Sequence, residues 1–287
     1  MIEKKAYAKI NLALDVLYKR SDGYHEVSMV MQSIDLYDTV TLTKQDKGIR
    51  LVTNRDDLPG DSSNLAYQAA HLLQQTYSLT TGVAITLDKK IPIAAGLAGG
   101  SSDAAAVLKG MNELFKLDLS DRQLMQFGAQ LGSDVPFCLS GGTQLATGRG
   151  EKLAILPQLP PCYVVLAKPA ISVSTAWVYQ NYLPQLVLRH PDVDSLVAAL
   201  GEQDLPKVLT YCGNVLESVT FRAYPVLAEL KDKMGNLGML ISLMSGSGPT
   251  IFALTTEKAT ALRLKADLEQ ESALFVDVVK TVTREKV

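Results

Sequence analysis

Residues 91–108 read IPIAAGLAGGSSDAAAVL, placing Gly96, Gly99 and Gly100 beside two serines and an aspartate at the mouth of an alanine-rich run. The stretch before it, residues 82–93 (GVAITLDKKIPI), has the β-branched content and proline stop of a strand. Strand, glycine turn and helix together offer an anion site. A helix N-terminus exposes unpaired N–H groups and about half a positive charge, and glycine lets the backbone approach a ligand that a Cβ would hold away. Ser101 and Ser102 add hydroxyl donors, one of which could reach a metal ion. The pattern is not GxxxxGK[ST], because no lysine follows Gly100, and not GxGxxG, because Ala98 stands at the second glycine. Taken alone it reads equally as a tight turn in which Ser102 or Asp103 only caps the helix.

Working outward, the residues before the loop read mostly as strands. In residues 4–19 (KKAYAKINLALDVLYK) Ala6, Ala8, Ile10, Leu12 and Leu14 share one face at period two. After the turn RSDGYHE come two β-branched segments, VSMVMQSIDL and DTVTLTKQ, and then GIRLVTN. Residues 62–77 read as a helix capped by Ser62 or Ser63, with a stripe of Leu65, Ala69, Leu72 and Leu73. Residues 120–132 read as another, with Ser120 as N-cap and Gly132 as a C′ glycine.

Three prolines in residues 148–162 mark a connection between lobes, which sets domains at 1–155 and 160–287. Beyond it YVVLAKP is a strand, helices dominate from about 174 to 234, and residues 239–256 form a β-hairpin with SGSG at its turn. A helix and the strand FVDVVKTVT close the chain. Strands and helices mix without a βαβα rhythm, which gives an α+β fold in two domains.

Composition excludes several function classes. The 287 residues carry a formal charge of −2, too little basic surface for nucleic acid or an anionic membrane. Cys138, Cys162 and Cys212 are odd in number and far apart, with no disulfide framework and no zinc spacing. No apolar run suits a secretory leader or a membrane span. A cytoplasmic protein acting on small molecules is the expectation, as monomer or homodimer. His71 and His190 read as a helix-face and a loop histidine.

Four stretches in order, AKINLALDVLYKRSDGYHEV, PIAAGLAGGSSDAAA, LGSDVPFCLSGG and SGSGPTIFAL, resemble the GHMP kinase superfamily of ATP-dependent small-molecule kinases. The resemblance spans essentially the whole chain. AKINL followed by DGYHE is similar to the members that phosphorylate a cytidine-diphospho sugar alcohol in non-mevalonate isoprenoid precursor synthesis. The implied fold is an N-terminal domain like domain 2 of ribosomal protein S5 and a ferredoxin-like α/β C-terminal domain. Other superfamily members act on mevalonate or homoserine, small alcohols with no base for GYHE to stack on. A non-catalytic member of the fold would not need both Lys9 and Asp134.

The resemblance also implies roles. Asp134, otherwise readable as a turn or N-cap aspartate, becomes the base that receives the hydroxyl proton. Lys9, otherwise an edge-strand lysine, becomes its partner, and Asn11, on the same strand face, a substrate donor. Pro92, Ala94, Ala95, Gly96, Leu97, Ala98, Gly99, Gly100, Ser101 and Ser102 become the ATP loop. Tyr24 and His25, at a hairpin tip, hold the cytosine, and Thr175 and Tyr179 line its pocket. Ser174 or Thr175 could equally be a helix cap, and Tyr179 a packing residue. ATP enters as its magnesium complex, with Ser102 a possible ligand. The SGSG at 245–248 lies near the loop and supports it. Tyr7 departs from an expected proline, and Ala98 from a frequent glycine.

Overall fold

A computed structural model describes residues 1–271 and 273–287. The first part of the chain runs β1 (Ile2–Lys19), β2 (His25–Gln45), β3 (Ile49–Thr53), α1 (Leu65–Thr76) and β4 (Gly82–Asp88). It continues with α2 (Gly99–Phe115), α3 (Asp121–Leu131), α4 (Val135–Ser140), β5 (Thr143–Thr147) and β6 (Lys152–Ile155). The chain then crosses to β7 (Tyr163–Pro169), α5 (Thr175–Gln180), α6 (Val193–Glu202), α7 (Leu205–Thr210), β8 (Gly213–Asn214) and α8 (Glu217–Ala223). It closes with α9 (Pro225–Gly235), β9 (Ile241–Met244), β10 (Ile251–Thr255), α10 (Lys258–Leu268) and β11 (Leu274–Lys280). Among the described residues, no helix is long and apolar enough to cross a membrane.

The fold is α+β. The larger sheet has the order β3-β4-β2-β1-β8, with β5 and β6 continuing from the other half of β2. The smaller is antiparallel in the order β11-β7-β10-β9, the ferredoxin-like arrangement, and β9–β10 is the expected hairpin. The two parts are stitched together. β8 joins the first sheet beside Ala13 and Leu14, and the Val282 N–H donates to the carbonyl of Ser33 at 3.0 Å.

Several local expectations are corrected. The segments VSMVMQSIDL and DTVTLTKQ are one strand, β2. Asp38 does not break it, because its carboxylate turns across to accept the N–H groups of Lys90 and Ile91 at 2.5 and 2.8 Å. The cap of α1 is Asn64, which accepts from the Ala66 N–H at 2.9 Å. Ser63 instead bonds back to Asp61 through both its N–H and its hydroxyl. Ser120 does cap α3, with Gln123 completing a capping box. Gly132 ends α3 in an extended conformation, φ 177°, so it is not a left-handed C′ glycine.

The most consequential difference concerns β1. Ala6 and Leu14 pack in one core with α1 and α2, whereas Ala8, Ile10 and Leu12 pack in a second core with α6 and α7. The pairing of β1 with β2 shifts register between Tyr7 and Lys9 and again between Asn11 and Ala13. Each shift carries the strand to its other face, so the five residues do not share one side.

Candidate active site

Lys9 and Asn11 lie between those two register shifts, on a central strand buried on both sides. Lys9 is only 4% exposed and is therefore no edge lysine. Its ammonium donates to Asn11 Oδ1 at 2.6 Å and to the Gly96 carbonyl at 3.0 Å, and stands 4.0 Å from Asp134 Oδ2. Asp134 is the N-cap residue of α4, yet its side chain makes no capping bond. Pro136, in the first turn, needs no N–H partner there. The carboxylate therefore stays available to face Lys9.

The glycine loop folds by placing Ala94, Gly96 and Ala98 in the left-handed region, φ 49°, 73° and 58°. Gly96 is constrained further. A Cβ there would lie 2.2 Å from the Ser245 carbonyl oxygen, and the Ser245 hydroxyl donates to the Gly96 carbonyl at 2.9 Å. The SGSG turn thus buttresses the loop. Helix α2 starts at Gly99, inside the glycines. Ala98 has no side chain to cap it, and no acidic residue occupies its first turn, so its leading amides are left open to an anion without internal competition.

Residues 92–96 and 98–101 line a cavity of about 930 Å³, which Lys9, Asn11 and Asp134 also line. Leu97 and Ser102 do not. Leu97 is buried in the core, and the Ser102 hydroxyl is buried where it donates to the Tyr7 carbonyl at 2.7 Å. Ser102 therefore fastens the loop to β1 rather than meeting a phosphate or a metal. Ser101 is the serine that faces the cavity.

Tyr24, His25, Thr175 and Tyr179 line the same cavity. The His25 ring lies 5.5 Å from Tyr179 at 32° and 6.3 Å from Tyr182 edge-on, which makes an aromatic wall. Burial, helped by the nearby Lys19 charge, holds the His25 imidazole below its ordinary value, which favours its neutral form. Burial and the Asp134 carboxylate both push the Tyr179 phenol up, so it stays a neutral donor. Thr175 bonds Ser247 at 2.8 Å, tying α5 to the SGSG turn, while the cap of α5 is Ser174. His190 is more than a loop residue, since its Nδ1 lies 2.7 Å from Asp15 Oδ1. His71 packs beside Tyr67.

Two features escape sequence reasoning. Lys89, at the foot of the loop, is held between Asp38 and Asp103, with both carboxylates almost wholly buried. Burial and the Asp38 charge push Asp103 up to about 7 against the pull of Lys89. Its Oδ1 has no partner. Arg149 lines the cavity from the turn between β5 and β6, its guanidinium 4.8 Å from the Tyr24 ring centroid. Its signal was an arginine set between two glycines in ATGRGE. Among the described residues, no group of three or more His, Cys, Asp or Glu could hold a metal ion.

The chain is similar to known proteins along most of its length. The family model described as GHMP kinases N terminal domain matches residues 64–142, and GHMP kinases C terminal matches 189–273. A 4-diphosphocytidyl-2-C-methyl-D-erythritol kinase of Geobacillus thermodenitrificans is 56% identical over 252 residues, 87% of each chain. One of Acetivibrio thermocellus is 47% identical over 96% of this chain and 98% of its own. A crystal structure of 4-(cytidine 5'-diphospho)-2C-methyl-D-erythritol kinase matches with TM-score 0.82 at 34% identity, covering 97% of this chain and 99% of that one.

Proposed function

The chain belongs to the GHMP kinase family of ATP-dependent phosphotransferases, and from that premise we propose that its acceptor is 4-(cytidine 5'-diphospho)-2-C-methyl-D-erythritol. The observation that carries this reading is the Lys9–Asp134 pair, set in one cavity with a glycine loop and an aromatic wall. The loop suits the phosphates of ATP. The wall suits a flat base, which neutral imidazole and phenol groups can hydrogen-bond. A mevalonate-type or homoserine-type acceptor would leave the wall without a partner.

The acceptor hydroxyl attacks the γ-phosphorus of ATP, the bond to the β-phosphate oxygen breaks, and ADP leaves. The hydroxyl proton passes to the Asp134 carboxylate. Lys9, fixed by Asn11 and the Gly96 carbonyl, offers its charge to the developing alkoxide and the moving phosphoryl group. Because Lys9 is held before substrate arrives, little reorganisation accompanies the reaction. The α2 amides complement the charge on the phosphates.

Magnesium, when bound, would neutralise phosphate charge. With no carboxylate cage among the described residues, the phosphates themselves would supply most ligands, as is common for this ion. The Ser101 hydroxyl, which lines the cavity at the start of α2, would offer a protein ligand. The same reading makes the chain a cytoplasmic enzyme of isoprenoid precursor synthesis. It works as monomer or homodimer without nucleic acid, with residues 1–155 and 160–287 as its two domains. A coupled ADP-release assay on the cytidine-diphospho compound, beside mevalonate and homoserine, tests the acceptor. Turnover with the first alone is expected, and its absence would overturn the reading.

A further inference from the structure

On the reading that the acceptor carries a cytidine diphosphate, the cavity must neutralise a diphosphate bridge lying between the base and the reacting hydroxyl. Four lysine or arginine side chains line it: Lys9, Lys19, Lys89 and Arg149. Lys9 is committed to Asn11, the Gly96 carbonyl and Asp134. Lys89 is committed to Asp38 and Asp103. That leaves Lys19 and Arg149, both at the Tyr24–His25 end. Lys19 is exposed at the last position of β1, where solvent screens its charge. The Arg149 side chain is only 33% exposed.

Arg149 also stands in the right place. Its guanidinium covers the Tyr24 ring at 4.8 Å. The next residue, Gly150, packs so that a Cβ on it would lie 3.7 Å from Ser133 Cβ, beside Asp134. The turn therefore reaches from the aromatic wall to the catalytic carboxylate. Two acids lie near it, and neither occupies the fork. Glu151 accepts the Arg149 backbone N–H at 2.6 Å and comes only within 3.9 Å of Nε, while Asp22 accepts from Arg20. A planar guanidinium with open N–H groups, backed by an aromatic face, is a phosphate-recognising arrangement.

We propose that Arg149 is a specificity-determining residue that grips the acceptor's diphosphate and holds it between the base wall and Asp134. In this role it separates cytidine-diphospho compounds from free nucleosides and small alcohols.

The test is calorimetric titration with cytidine, CMP and CDP, with a saturating non-hydrolysable ATP analogue closing the glycine loop to these probes. The proteins compared are the wild type, Arg149→Ala, Arg149→Lys and Lys19→Ala. In the wild type, affinity rises with each phosphate. Arg149→Ala binds cytidine nearly as well but loses roughly 10- to 100-fold for CDP, Arg149→Lys falls between, and Lys19→Ala loses less than Arg149→Ala. Wild-type CDP affinity in Arg149→Ala, or an equal loss for cytidine and CDP, would overturn the role of Arg149 and leave the acceptor reading intact. A wild type that binds none of the three probes would instead overturn the acceptor reading.

Discussion

Lys9 on β1 and Asp134 at the head of α4 come from distant parts of the sequence, yet their charged atoms stand 4.0 Å apart in one cavity. Lys9 is aimed by Asn11 Oδ1 and the Gly96 carbonyl, and Asp134 is left free by a helix its side chain does not cap. Asp134→Asn keeps the shape and removes the proton acceptor. Its kcat should fall on the order of 10²- to 10⁴-fold, with ATP affinity retained in a binding titration. Adding Lys9→Met should cost much less than its own single effect, because the two act as a unit. Unchanged turnover in Asp134→Asn would remove the carboxylate from the chemistry.

Gly96→Ala should unseat the glycine loop. A left-handed backbone with a Cβ costs roughly 1–2 kcal/mol, and the Ser245 carbonyl must also move to relieve a 2.2 Å approach. Thermal denaturation should show clear loss of stability, and KM for ATP should rise. Ala98→Gly makes the opposite case, because Ala98 already holds φ 58°. There the released strain offsets the added unfolded-state freedom, so stability should stay within about 1 kcal/mol with activity preserved. Wild-type stability and KM in Gly96→Ala would contradict the packing described.

Tyr24→Ala removes the exposed aromatic face over which Arg149 sits. Stacking on one base is worth about 1–3 kcal/mol, so KM for the cytidine substrate should rise roughly 10-fold or more, while KM for ATP holds. Steady-state kinetics in both substrates decide it. A change confined to ATP would assign the aromatic wall to the other nucleotide.

Asp103 makes stability depend on pH. Its folded value, near 7, exceeds the ordinary 3.8, so the folded protein holds a proton that the unfolded chain has released. That contribution is complete below about pH 4 and is lost as pH rises through 7. Asp103→Asn supplies a permanently neutral group and leaves Lys89 paired with Asp38 alone. The variant should match the wild type below about pH 4 and exceed it by a margin that grows between pH 4 and 7 and then levels off in urea denaturation. Parallel stability–pH curves for the two proteins would show that Asp103 does not carry the proton.

Much of this architecture was legible from short-range rules. Ser120 and Gln123 announce their capping box at fixed spacing, and β4, the loop and α2 follow from glycine and β-branched punctuation. What escaped depended on partners far away. The segments VSMVMQSIDL and DTVTLTKQ looked separate because the Asp38 carboxylate that turns to the amides of Lys90 and Ile91 finds those partners only in the fold. Ser102 looked like a ligand donor until Tyr7 took its hydroxyl. The faces of β1 could not be read from alternation, since the shifts that exchange them arise in pairing with β2. Lys89 carried no local sign of its role, because both its acids arrive through folding.

The contact between Gly96 and the SGSG turn has a consequence for synthesis. A ribosome that has delivered the first 155 residues has made Lys9, the glycine loop and Asp134, but not Ser245. It has also not made Asn214, whose amide holds the Met244 and Gly246 carbonyls at 2.8 and 2.7 Å. On the proposed mechanism, the emerging N-terminal half owns both Lys9 and Asp134 without the brace that shapes the glycine loop, and catalytic competence arrives late in translation, with the hairpin at 241–255.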